Sequence, residues 1–533
     1  MPLTGQSIIG YRRGTSSGGQ LRAFNPRTRQ ELEPAYYSSS ISDVNQAADL
    51  AFRSFSLFGW LDGKKRAAFL RRIAERLEVL GEELIERAVA ETALSAARIR
   101  AERSRTCFQL RFFAGICEEG SWVDARIDLA DPSRQPIPKP DVRSMLRPLG
   151  PVAVFGASNF PLAFSVPGGD TASAFAAGNP VVALAHYSHP GTAELAGAAI
   201  RDAALDLDLP EGVFSLLYDV GHDVAGALVA HPYIKAVSFT GSRSGGNALM
   251  KIAASRPQPI PVYAEMSSIN PVFILAGALK QRSESLAEGL YNSVTLGVGQ
   301  FCTNPGVIVT SADDSAFISR LKEFMRKAEP ETMLNRRIWS SYVNAISERT
   351  ASKNVSTLVD IESIEGAGTF CQGQPALFQT DVGTWLADDA LHAEIFGPAT
   401  TIVRADTRGG MIEIARGLEG NLTATIHGSE EDLRDHADLV AVLETKVGRI
   451  LFNTFPTGVE VCQAIVHGGP YPATSDSRST SVGARAMLRF ARPVCFQDFP
   501  EGLLPDELKS ENPLHILRLV DGQYKQMYAG VRL

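Results

Sequence analysis

The chain has 533 residues, 44% of them hydrophobic and 21% charged, which is the balance of a globular protein of two or three domains. Its formal net charge is -7 with both signs interspersed, which argues against nucleic acid as a partner. The sequence has no run of about 18 apolar residues and no basic-then-apolar signal pattern at its start, so we expect no membrane span, no export and a cytoplasmic location.

The first third of the chain is predicted to be helical. Ser42 and Asp43 can cap a helix that runs to about Phe55. Apolar residues at helical spacing predict a second helix: Leu70, Ile73, Leu77 and Leu80. A third helical pattern covers residues 95–119, and the Pro-rich residues 131–140 then predict an extended connector that crosses between elements.

Short apolar runs alternate with helical segments from Pro151 onwards. The runs occupy residues 152–155, 180–185, 213–217, 236–239 and 260–263. Such alternation predicts parallel strands with covering helices, and a doubly wound dinucleotide-binding domain is the natural fit. A second alternation, from residues 271–275 to about 470, predicts a second α/β domain. The tail from Arg478 mixes apolar and Pro-rich pieces, and we expect it to pack on a neighbouring subunit or on its own surface.

The spacing of the six cysteines indicates neither a disulfide scaffold nor a metal site. They are too few for a disulfide scaffold, and no two of them form a CxxC pair. The same spacing supports no zinc site, so we expect no metal. Because an isolated cysteine is most often a buried apolar filler, a chemical role for one of them must follow from its surroundings.

The turn after the first strand of the predicted dinucleotide domain lacks the GxGxxG pattern of an ordinary Rossmann fingerprint. It reads Phe155-Gly-Ala-Ser-Asn-Phe-Pro161, and taken alone its second half is a simple turn. A later strand ends in Phe239-Thr240-Gly241-Ser242, followed by Gly245. That segment is either an ordinary strand-to-helix turn or a place where helix N–H groups meet a phosphate or a nicotinamide.

Two further segments carry groups suited to covalent chemistry. Glu265 follows an apolar strand, where partial burial would raise its pKa towards that of a useful base, whereas taken alone a capping role is the simpler interpretation. Cys302 stands in Gly297-Val-Gly-Gln-Phe-Cys302-Thr-Asn-Pro-Gly306, a Gly-rich stretch where we expect no side chain to crowd it. Such a setting favours an accessible thiolate.

Five motifs occur in one order along the chain. They are Asn159-Phe160-Pro161, Phe239-Thr240-Gly241-Ser242, the Glu265 segment, Gly299-Gln300-Phe301-Cys302 and Glu394-Ile395-Phe396-Gly397-Pro398. In this order and spacing they resemble the aldehyde dehydrogenase superfamily, over about residues 20–500. Residues 264–271 and 455–478 are similar to the α-ketoglutaric semialdehyde (2,5-dioxovalerate) dehydrogenase branch, which also resembles a fatty-aldehyde dehydrogenase of luminous bacteria.

The resemblance implies that an aldehyde is oxidised to a carboxylic acid, with NAD or NADP as the hydride acceptor. Cys302 would attack the carbonyl carbon and form a thiohemiacetal and then a thioester. The side-chain amide of Asn159 and the backbone N–H of Cys302 would form the oxyanion hole. Glu265 would activate the water that hydrolyses the thioester.

The resemblance also implies a set of cofactor contacts. Gly241 and Gly245 would let the backbone approach the dinucleotide. Glu394 would hold the hydroxyls of the nicotinamide ribose, and Phe396 would pack nearby. The other predicted cofactor residues lie at the ends of strands or in the turns that follow them: Phe155, Ser158, Leu184, His186, Tyr187, His222, Phe239, Thr240 and Ser242.

The chain departs from the family at three of these positions. Leu184 stands where the family usually carries a Lys that reaches the adenosine ribose. Tyr187 and His222 stand where NADP-using relatives carry a Thr and an Arg that help to bind the 2'-phosphate. Because a phosphate is bound by cations and leucine supplies none, we expect no strong preference for NADP, and weak binding of either dinucleotide is an alternative.

The sequence therefore predicts an α/β protein with an aldehyde dehydrogenase-like fold. The predicted units are a doubly wound dinucleotide-binding domain at 1–127 and 149–265, a catalytic domain at 266–470, a small oligomerisation flap at 128–148 and 480–500, and a C-terminal tail at 501–533. Because this flap pairs subunits in the family, we expect a homodimer or homotetramer. The other expected partner is a small-molecule aldehyde.

The preferred function is oxidation of α-ketoglutaric semialdehyde to 2-oxoglutarate, and two alternatives stay open. One is a broad medium- or long-chain aldehyde dehydrogenase. The other is a catalytically weak binding or structural protein on the same fold, which the altered adenosine site suggests and the joint presence of Asn159, Glu265, Cys302 and Glu394 opposes. A substrate carboxylate needs a cation. Arg478 is a weak candidate for it, since a structural ion pair at the flap is the simpler explanation.

Overall fold

The computed structural model describes residues 2–16, 18–311, 314–360 and 371–525. In these ranges the strands form two seven-stranded sheets, a five-stranded sheet and two short ribbons. Among the helices described there, none combines the length and the apolar character that a bilayer crossing requires. The predicted α/β class is confirmed, with two large sheets that are covered by helices.

The first large sheet is the predicted doubly wound sheet. In spatial order its strands are β11 (Val262–Glu265), β10 (Ala236–Thr240), β7 (Val152–Phe155), β8 (Val181–Leu184), β9 (Phe214–Leu217), β1 (Ile8–Ile9) and β2 (Arg12–Arg13). Strands β7 to β11 run parallel, and β1 joins antiparallel to β9. The chain runs from β7 out to β8 and β9 and then crosses to β10, so a topological switch point lies between β7 and β10.

Helices cover both faces of this sheet because both faces of its strands are apolar. Along β7, Val152 and Val154 belong to one hydrophobic core, and Ala153 and Phe155 belong to the other. The first core is shared with α2 (Gly63–Val79), α3 (Gly81–Thr92), α4 (Ala96–Glu119), α5 (Gly169–Ala177) and α6 (Pro190–Asp206), and the second with α1 (Ile41–Phe58), α7 (Asp223–Ala230) and α8 (Arg243–Ser255). The short apolar runs of the sequence are therefore strands buried on two sides.

The start of α1 corrects one sequence prediction. The N-cap residue is Ser40 and not Ser42, because the Ser40 hydroxyl accepts the N–H of Asp43 and the Asp43 carboxylate accepts the N–H of Ser40. This reciprocal capping box requires an acid three residues after the serine. Ser42 and Asp43 lie inside the helix. The helix α4 begins directly after its N-cap, Ser95, as predicted.

The second large sheet forms the core of the predicted catalytic domain. Its strands in spatial order are β15 (Ser356–Val359), β17 (Ala376–Asp381), β18 (Ala399–Arg404), β13 (Val307–Thr310), β12 (Val272–Ile274), β19 (Asn421–His427) and β20 (Val447–Phe452). All of these pairs are parallel except β15 with β17. The accompanying helices are α9 (Ala276–Thr295), α10 (Ser315–Lys327), α11 (Arg336–Ala351), α12 (Val382–Ala387), α13 (Arg408–Gly417), α14 (Glu430–Asp435) and α15 (Ala437–Glu444). A ribbon pairs β14 (Glu331–Thr332) with β16 (Gln372–Gly373).

The five-stranded sheet contains the predicted flap and part of the predicted tail. Its order is β21 (Ala491–Gln497), β6 (Val142–Pro148), β5 (Arg126–Asp128), β22 (Arg518–Val520) and β23 (Gln523–Lys525). The tail therefore packs on its own chain, and residues 526–533 lie outside the described residues. The Pro-rich residues 131–140 join the antiparallel strands β5 and β6, so they close a hairpin and do not cross between elements. The other ribbon pairs β3 (Gln20–Asn25) with β4 (Gln30–Tyr37). The exact domain boundaries stay predictions.

Candidate active site

The carboxyl ends of four adjacent strands bring several predicted cofactor residues to one edge of the first sheet. Phe155 is in register with Leu184 on one side and with Phe239 on the other. Thr240 is in register with Glu265 on the next strand. Open parallel sheets bind ligands outside the carboxyl ends of their strands, at the switch point. The edge next to β7 and β10 is therefore where a dinucleotide is expected.

The N-terminus of α8 is the part of this edge that fits a phosphate. The hydroxyl of Ser242 caps the helix by accepting the N–H of Gly245 at 3.2 Å. A Cβ at Gly241 or Gly245 would lie 2.6 Å or 2.9 Å from the ring of Phe239, so both glycines are needed for this ring to lie against the helix start. Helix N-termini present unpaired N–H groups to anions. The residues present therefore fit the pyrophosphate of a dinucleotide.

The predicted adenosine region is apolar and neutral. Leu184 packs against the hydrophobic core at the end of β8. The ring of His186 lies 4.5 Å from the ring of Tyr187 and 5.3 Å from that of His189. Burial lowers the pKa of His186 well below its usual value, and the nearby His189 and Arg337 lower it further, so this imidazole is uncharged at neutral pH.

Arg337 brings a cation to this region that sequence reasoning did not foresee. It is exposed in the first turn of α11, close enough to act on the pKa of His186. The preceding Asn335 anchors that turn by donating from Nδ2 to the hydroxyl of Ser188 at 2.8 Å. His222, in contrast, is exposed before α7, and its side chain makes no capping hydrogen bond there.

The segment that leads to Cys302 is a tight left-handed turn. Gly297, Val298 and Gly299 have φ values of 56°, 58° and 64°. A Cβ on Gly299 would lie 2.3 Å from the backbone of Gly397, so only glycine permits this close approach to the Glu394–Pro398 motif. The turn therefore docks the Cys302 segment directly against a second predicted site motif.

Asn270 holds the Cys302 segment from the other side. Its Nδ2 donates to the carbonyls of Cys302 and Asn304, both at 2.9 Å. Its Oδ1 accepts the hydroxyls of Ser268 and Thr423. Asn270 is completely buried and has a positive φ of 45°. Sequence reasoning assigned it no role, although it lies in the same motif as Glu265.

Asn159 lies beside the nucleophile candidate. It is buried, and its Nδ2 donates to the carbonyl of Gln300 at 3.0 Å. Gln300 is itself fixed, because its side chain donates to the Gly297 carbonyl and accepts the N–H of Leu334. A side-chain amide carries two N–H groups, so Asn159 has a second donor for an oxygen bound next to Cys302.

Three side chains meet at the reacting position: Cys302, Glu265 and His467. The Nε2 atom of His467 lies 3.6 Å from Sγ of Cys302 and 3.0 Å from Oε1 of Glu265. The other oxygen of Glu265 accepts the hydroxyl of Ser481 at 2.7 Å. A ring nitrogen of His467, Sγ of Cys302 and a carboxylate oxygen of Glu265 all lie within 4.8 Å of one another. His467 stands in a stretch that carried the family resemblance, but sequence reasoning gave it no role.

The return of the chain after β20 positions His467. Thr474 forms a bridge with Glu265 at the edge of β11, and the N–H of Met266 donates to the carbonyl of Ala473. The hydroxyl of Thr480 accepts the N–H of His467 at 2.8 Å. Residues 467–481 therefore wrap back onto the first sheet and deliver two partners to Glu265.

The pKa shifts at this cluster correct the sequence expectation. Burial raises the pKa of Cys302 well above its usual value, and the charge of Glu265 raises it further. Burial also raises the pKa of Glu265, but His467, Ser481 and Cys302 outweigh it, so this pKa is lowered. The raised pKa predicted for Glu265 and the thiolate predicted for Cys302 are therefore wrong. The resting state pairs a protonated thiol with an ionised carboxylate, which is the form that can act as a base.

Glu394 lines a cavity of about 230 Å³ together with Ser267, Ser268 and Ile269, and Phe396 lines a much narrower space that Glu394 also borders. Burial raises the pKa of Glu394 to about 8, against hydrogen bonds from Ser267 and from the N–H of Ser268. A protonated carboxyl can both donate to and accept from a hydroxyl. This arrangement fits a ribose.

Arg478 does not reach the site. Its side chain is 90% exposed, and it pairs with Asp476 at 3.2 Å. The structure therefore contains the structural ion pair. The prediction that Arg478 binds a substrate carboxylate is wrong.

Comparison with known proteins gives a consistent result. Residues 13–471 match the family model described as "Aldehyde dehydrogenase family". The chain is 48% identical over 526 residues to an alpha-ketoglutaric semialdehyde dehydrogenase 2 of Azospirillum brasilense, covering 98% of this chain and 100% of that protein. It is 43% identical over 525 residues to an alpha-ketoglutaric semialdehyde dehydrogenase of Acinetobacter baylyi, covering 98% and 99%.

Solved structures share the fold. A lactaldehyde dehydrogenase from Escherichia coli superposes with a TM-score of 0.80 at 20% identity, covering 92% of this chain and 98% of that one. A betaine aldehyde dehydrogenase from Staphylococcus aureus, in complex with NAD+, superposes with a TM-score of 0.78 at 18% identity, covering 94% and 98%.

Proposed function

The chain belongs to the aldehyde dehydrogenase family and is an aldehyde-oxidising enzyme, and from this premise we propose that its substrate is α-ketoglutaric semialdehyde, which it converts to 2-oxoglutarate. Two relatives with this activity in their names are 48% and 43% identical over nearly the whole chain. The observation that carries the chemistry is the contact of Cys302 with His467, which in turn hydrogen-bonds Glu265.

In the proposed first step the Cys302 thiol transfers its proton to the Glu265 carboxylate, and the thiolate sulfur bonds to the aldehyde carbon. The raised pKa of Cys302 and the lowered pKa of Glu265 mean that this transfer requires substrate to be bound, since the developing charge then moves to the aldehyde oxygen. The second N–H of Asn159 and the backbone N–H of Cys302 hold that oxygen.

The bound dinucleotide supplies the acceptor for the hydride that leaves the carbon of the thiohemiacetal, and the enzymes of this family use NAD or NADP. In this chain the start of α8, with Gly241, Ser242 and Gly245, would hold the pyrophosphate. Glu394 would bind the nicotinamide ribose, with Phe396 packed nearby.

Deacylation follows once Glu265 has released the first proton to solvent. Glu265 then takes a proton from water, the hydroxide oxygen bonds to the thioester carbon, and the bond from carbon to sulfur breaks. His467 and Ser481 act as positioning residues, because they fix the two carboxylate oxygens at 3.0 Å and 2.7 Å. The proton held by Glu265 returns to the Cys302 sulfur, and the products are the carboxylic acid and the free Cys302 thiol.

The structure around the adenosine supports a proposal about cofactor choice. Leu184 and Tyr187 carry no charge, and burial keeps His186 neutral. Arg337 is exposed, where a charge contributes little. NADP should therefore bind no more tightly than NAD.

We also propose that the five-stranded flap sheet pairs subunits into a homodimer or homotetramer. The part of this sheet and its flanking turns that the structure describes exposes large apolar side chains: Leu129, Ile137, Phe499, Leu503 and Tyr524. Exposed apolar clusters mark interaction surfaces. Light scattering of the purified protein tests this directly.

Steady-state reduction of NAD and of NADP over an aldehyde panel tests the proposed function. The account predicts the highest kcat/KM for α-ketoglutaric semialdehyde, with pentanal and decanal well below it. Higher kcat/KM for decanal would favour a medium- or long-chain enzyme, and no turnover of any aldehyde would favour the binding-protein alternative.

A further inference from the structure

Two arginines approach the Cys302 pocket from different elements and end on the same loop. Arg105 lies on α4 and donates from Nη1 to the carbonyl of Val459. Arg449 lies on β20 and donates from Nη2 to the carbonyls of Pro456 and Gly458, at 3.0 Å and 3.1 Å. Because Gly458 and Val459 are consecutive, both arginines hold the same short loop.

Neither guanidinium is neutralised within the described part of the chain. Among the described residues no carboxylate forms an ion pair with Arg105 or Arg449, and the Nε of each is buried without a hydrogen-bond partner. Arg489, which is buried, does have such a partner in Asp170 at 2.7 Å. Unpaired charge in a low-dielectric setting is costly unless an anion completes it.

The two acids near Arg105 accept backbone N–H groups and form no ion pair with it. Glu102 accepts the backbone N–H groups of Leu162 and Ala163 at 2.8 Å and 3.0 Å. Glu460 is exposed and accepts the N–H of Val461 at 2.9 Å. The charges of these two carboxylates raise the pKa of Arg105, but neither carboxylate forms an ion pair with it.

Both cations lie close enough to Cys302 for its charge to act on their pKa values. Burial lowers the pKa of Arg105, while the charges of Glu102, Glu460 and Cys302 raise it in part. Burial likewise lowers the pKa of Arg449, and the charge of Cys302 opposes that effect. The guanidinium of Arg105 lies 5.8 Å from the centroid of the Phe164 ring. The ring of Phe164 lies 6.1 Å from the ring of His467, whose Nε2 contacts Cys302. Arg105, Phe164, His467 and Cys302 therefore form one continuous wall.

We infer that Arg105 and Arg449 together bind the carboxylate at the far end of a short ω-oxo acid while its aldehyde carbon lies against Cys302. This inference rests on the proposed function and names the group that recognises the substrate. Two guanidinium groups give a carboxylate one charged donor set for each oxygen. The rings of Phe160, Phe164 and Phe301, in edge contact at 5.2 Å and 5.5 Å, supply an apolar wall for the methylene groups.

A third arginine nearby has a different role. Arg98 lies over the rings of Phe160 and Phe301, at 4.8 Å and 4.6 Å, and donates to the carbonyl of Asn159 at 3.0 Å. It holds the Asn159 backbone in place from behind these rings.

The test compares α-ketoglutaric semialdehyde with pentanal, an uncharged aldehyde of the same chain length, in Arg105→Met and Arg449→Met. Each variant should lower kcat/KM for the oxo acid about 10- to 100-fold, mainly through KM, since a charge-assisted hydrogen-bonded pair is lost. Activity on pentanal should stay within about threefold of the wild type. Arg105→Lys, which keeps the charge but loses the fork, should fall between the two.

Arg256→Met is the matched control. Arg256 likewise donates only to backbone carbonyls, those of Val229 and Ile234, but it is buried on the far side of the first sheet. Its loss should leave the ratio of the two kcat/KM values unchanged. Glutarate should inhibit the wild type competitively against pentanal, and this inhibition should weaken about tenfold or more in both variants.

The failures are distinguishable. If the wild type prefers the oxo acid and both variants keep that preference and the glutarate inhibition, the arginine assignment is wrong and the proposed function stands. If the wild type itself prefers pentanal, the proposed substrate is wrong. If Arg105→Met does not fold, Arg105→Lys and Arg449→Met still decide the question.

Discussion

The two ends of the predicted dinucleotide and substrate cleft are built in contrasting ways. At the Cys302 end, Glu265 has a partner on each oxygen, and Asn270 and Asn159 fix the neighbouring backbone. At the adenosine end, Leu184 is apolar, His186 is neutral and Tyr187 is partly exposed. Satisfied polar networks fix geometry, whereas a neutral surface confers little selectivity for charge. The contrast indicates that the geometry around Cys302 is tightly fixed, whereas the site is only weakly selective for the adenosine end of the cofactor.

Removing the nucleophile should break the chemical end most severely. We expect Cys302→Ala to lose at least about 10³-fold in kcat, because the covalent route disappears. Stopped-flow and steady-state rates of NADH formation measure this. Cys495→Ala, which removes an exposed thiol on β21, is the control and should keep wild-type rates. A fully active Cys302→Ala would remove covalent catalysis from the account.

Glu265→Gln should separate the two halves of the reaction. Gln keeps the size of the side chain but cannot take a proton, so hydrolysis should slow by about 10²-fold or more. Because solvent can also take the proton of the Cys302 thiol, acylation should slow less than hydrolysis, so rapid mixing should show a burst of NADH equal to the enzyme concentration, followed by slower turnover. Loss of the burst together with turnover would mean that Glu265 acts mainly on the Cys302 thiol.

His467 sharpens the comparison through pH. Burial raises the pKa of Glu265 and His467 opposes that effect, so His467→Phe should raise this pKa. Glu265 is the base only when ionised, and the acid limb of the kcat profile should therefore move to higher pH. The rate at neutral pH should drop about tenfold. His467→Gln can still donate a hydrogen bond to Glu265, so it should restore part of the neutral-pH rate and part of the position of the acid limb. An acid limb that does not move in His467→Phe would contradict the positioning role.

The sequence predicted the strands near the site well, because fully buried strands leave short apolar runs such as residues 152–155. It also named Cys302, Glu265 and Asn159, which the structure brings together. It missed His467 as a partner because 202 positions separate it from Glu265, and no local pattern records such a contact.

Other differences have equally local causes. The strands β22 and β23 have three residues each, too few for a periodic signal, so the tail was not expected to extend the flap sheet. The pKa of Glu265 was predicted from burial alone, and its partners from residues 467–481 reverse the sign. Arg105 and Arg449 lie on different elements, so spacing could not relate them.

The smallest expected effect is at the adenosine end. Leu184→Lys combined with His222→Arg should improve the affinity for NADP by roughly tenfold, because each added cation contributes on the order of 1 kcal/mol at a partly exposed site. Calorimetric titration with both dinucleotides measures this. Leu205→Lys in the last turn of α6, with His231→Arg at the C-cap of α7, adds the same charges at the far ends of these helices and should have little effect. Tight wild-type binding of NADP, near micromolar, would show that other residues, with Arg337 the first candidate, already supply the contact.

Trapping the acyl-enzyme tests the central claim most directly. Glu265→Gln mixed with NAD and α-ketoglutaric semialdehyde, then quenched in acid, should gain the mass of one 2-oxoglutaryl group, and peptide mapping should place that group on Cys302. Cys302→Ala should gain no mass under the same conditions. An acyl group on another residue, or NADH formation by Glu265→Gln without any covalent adduct, would contradict the account.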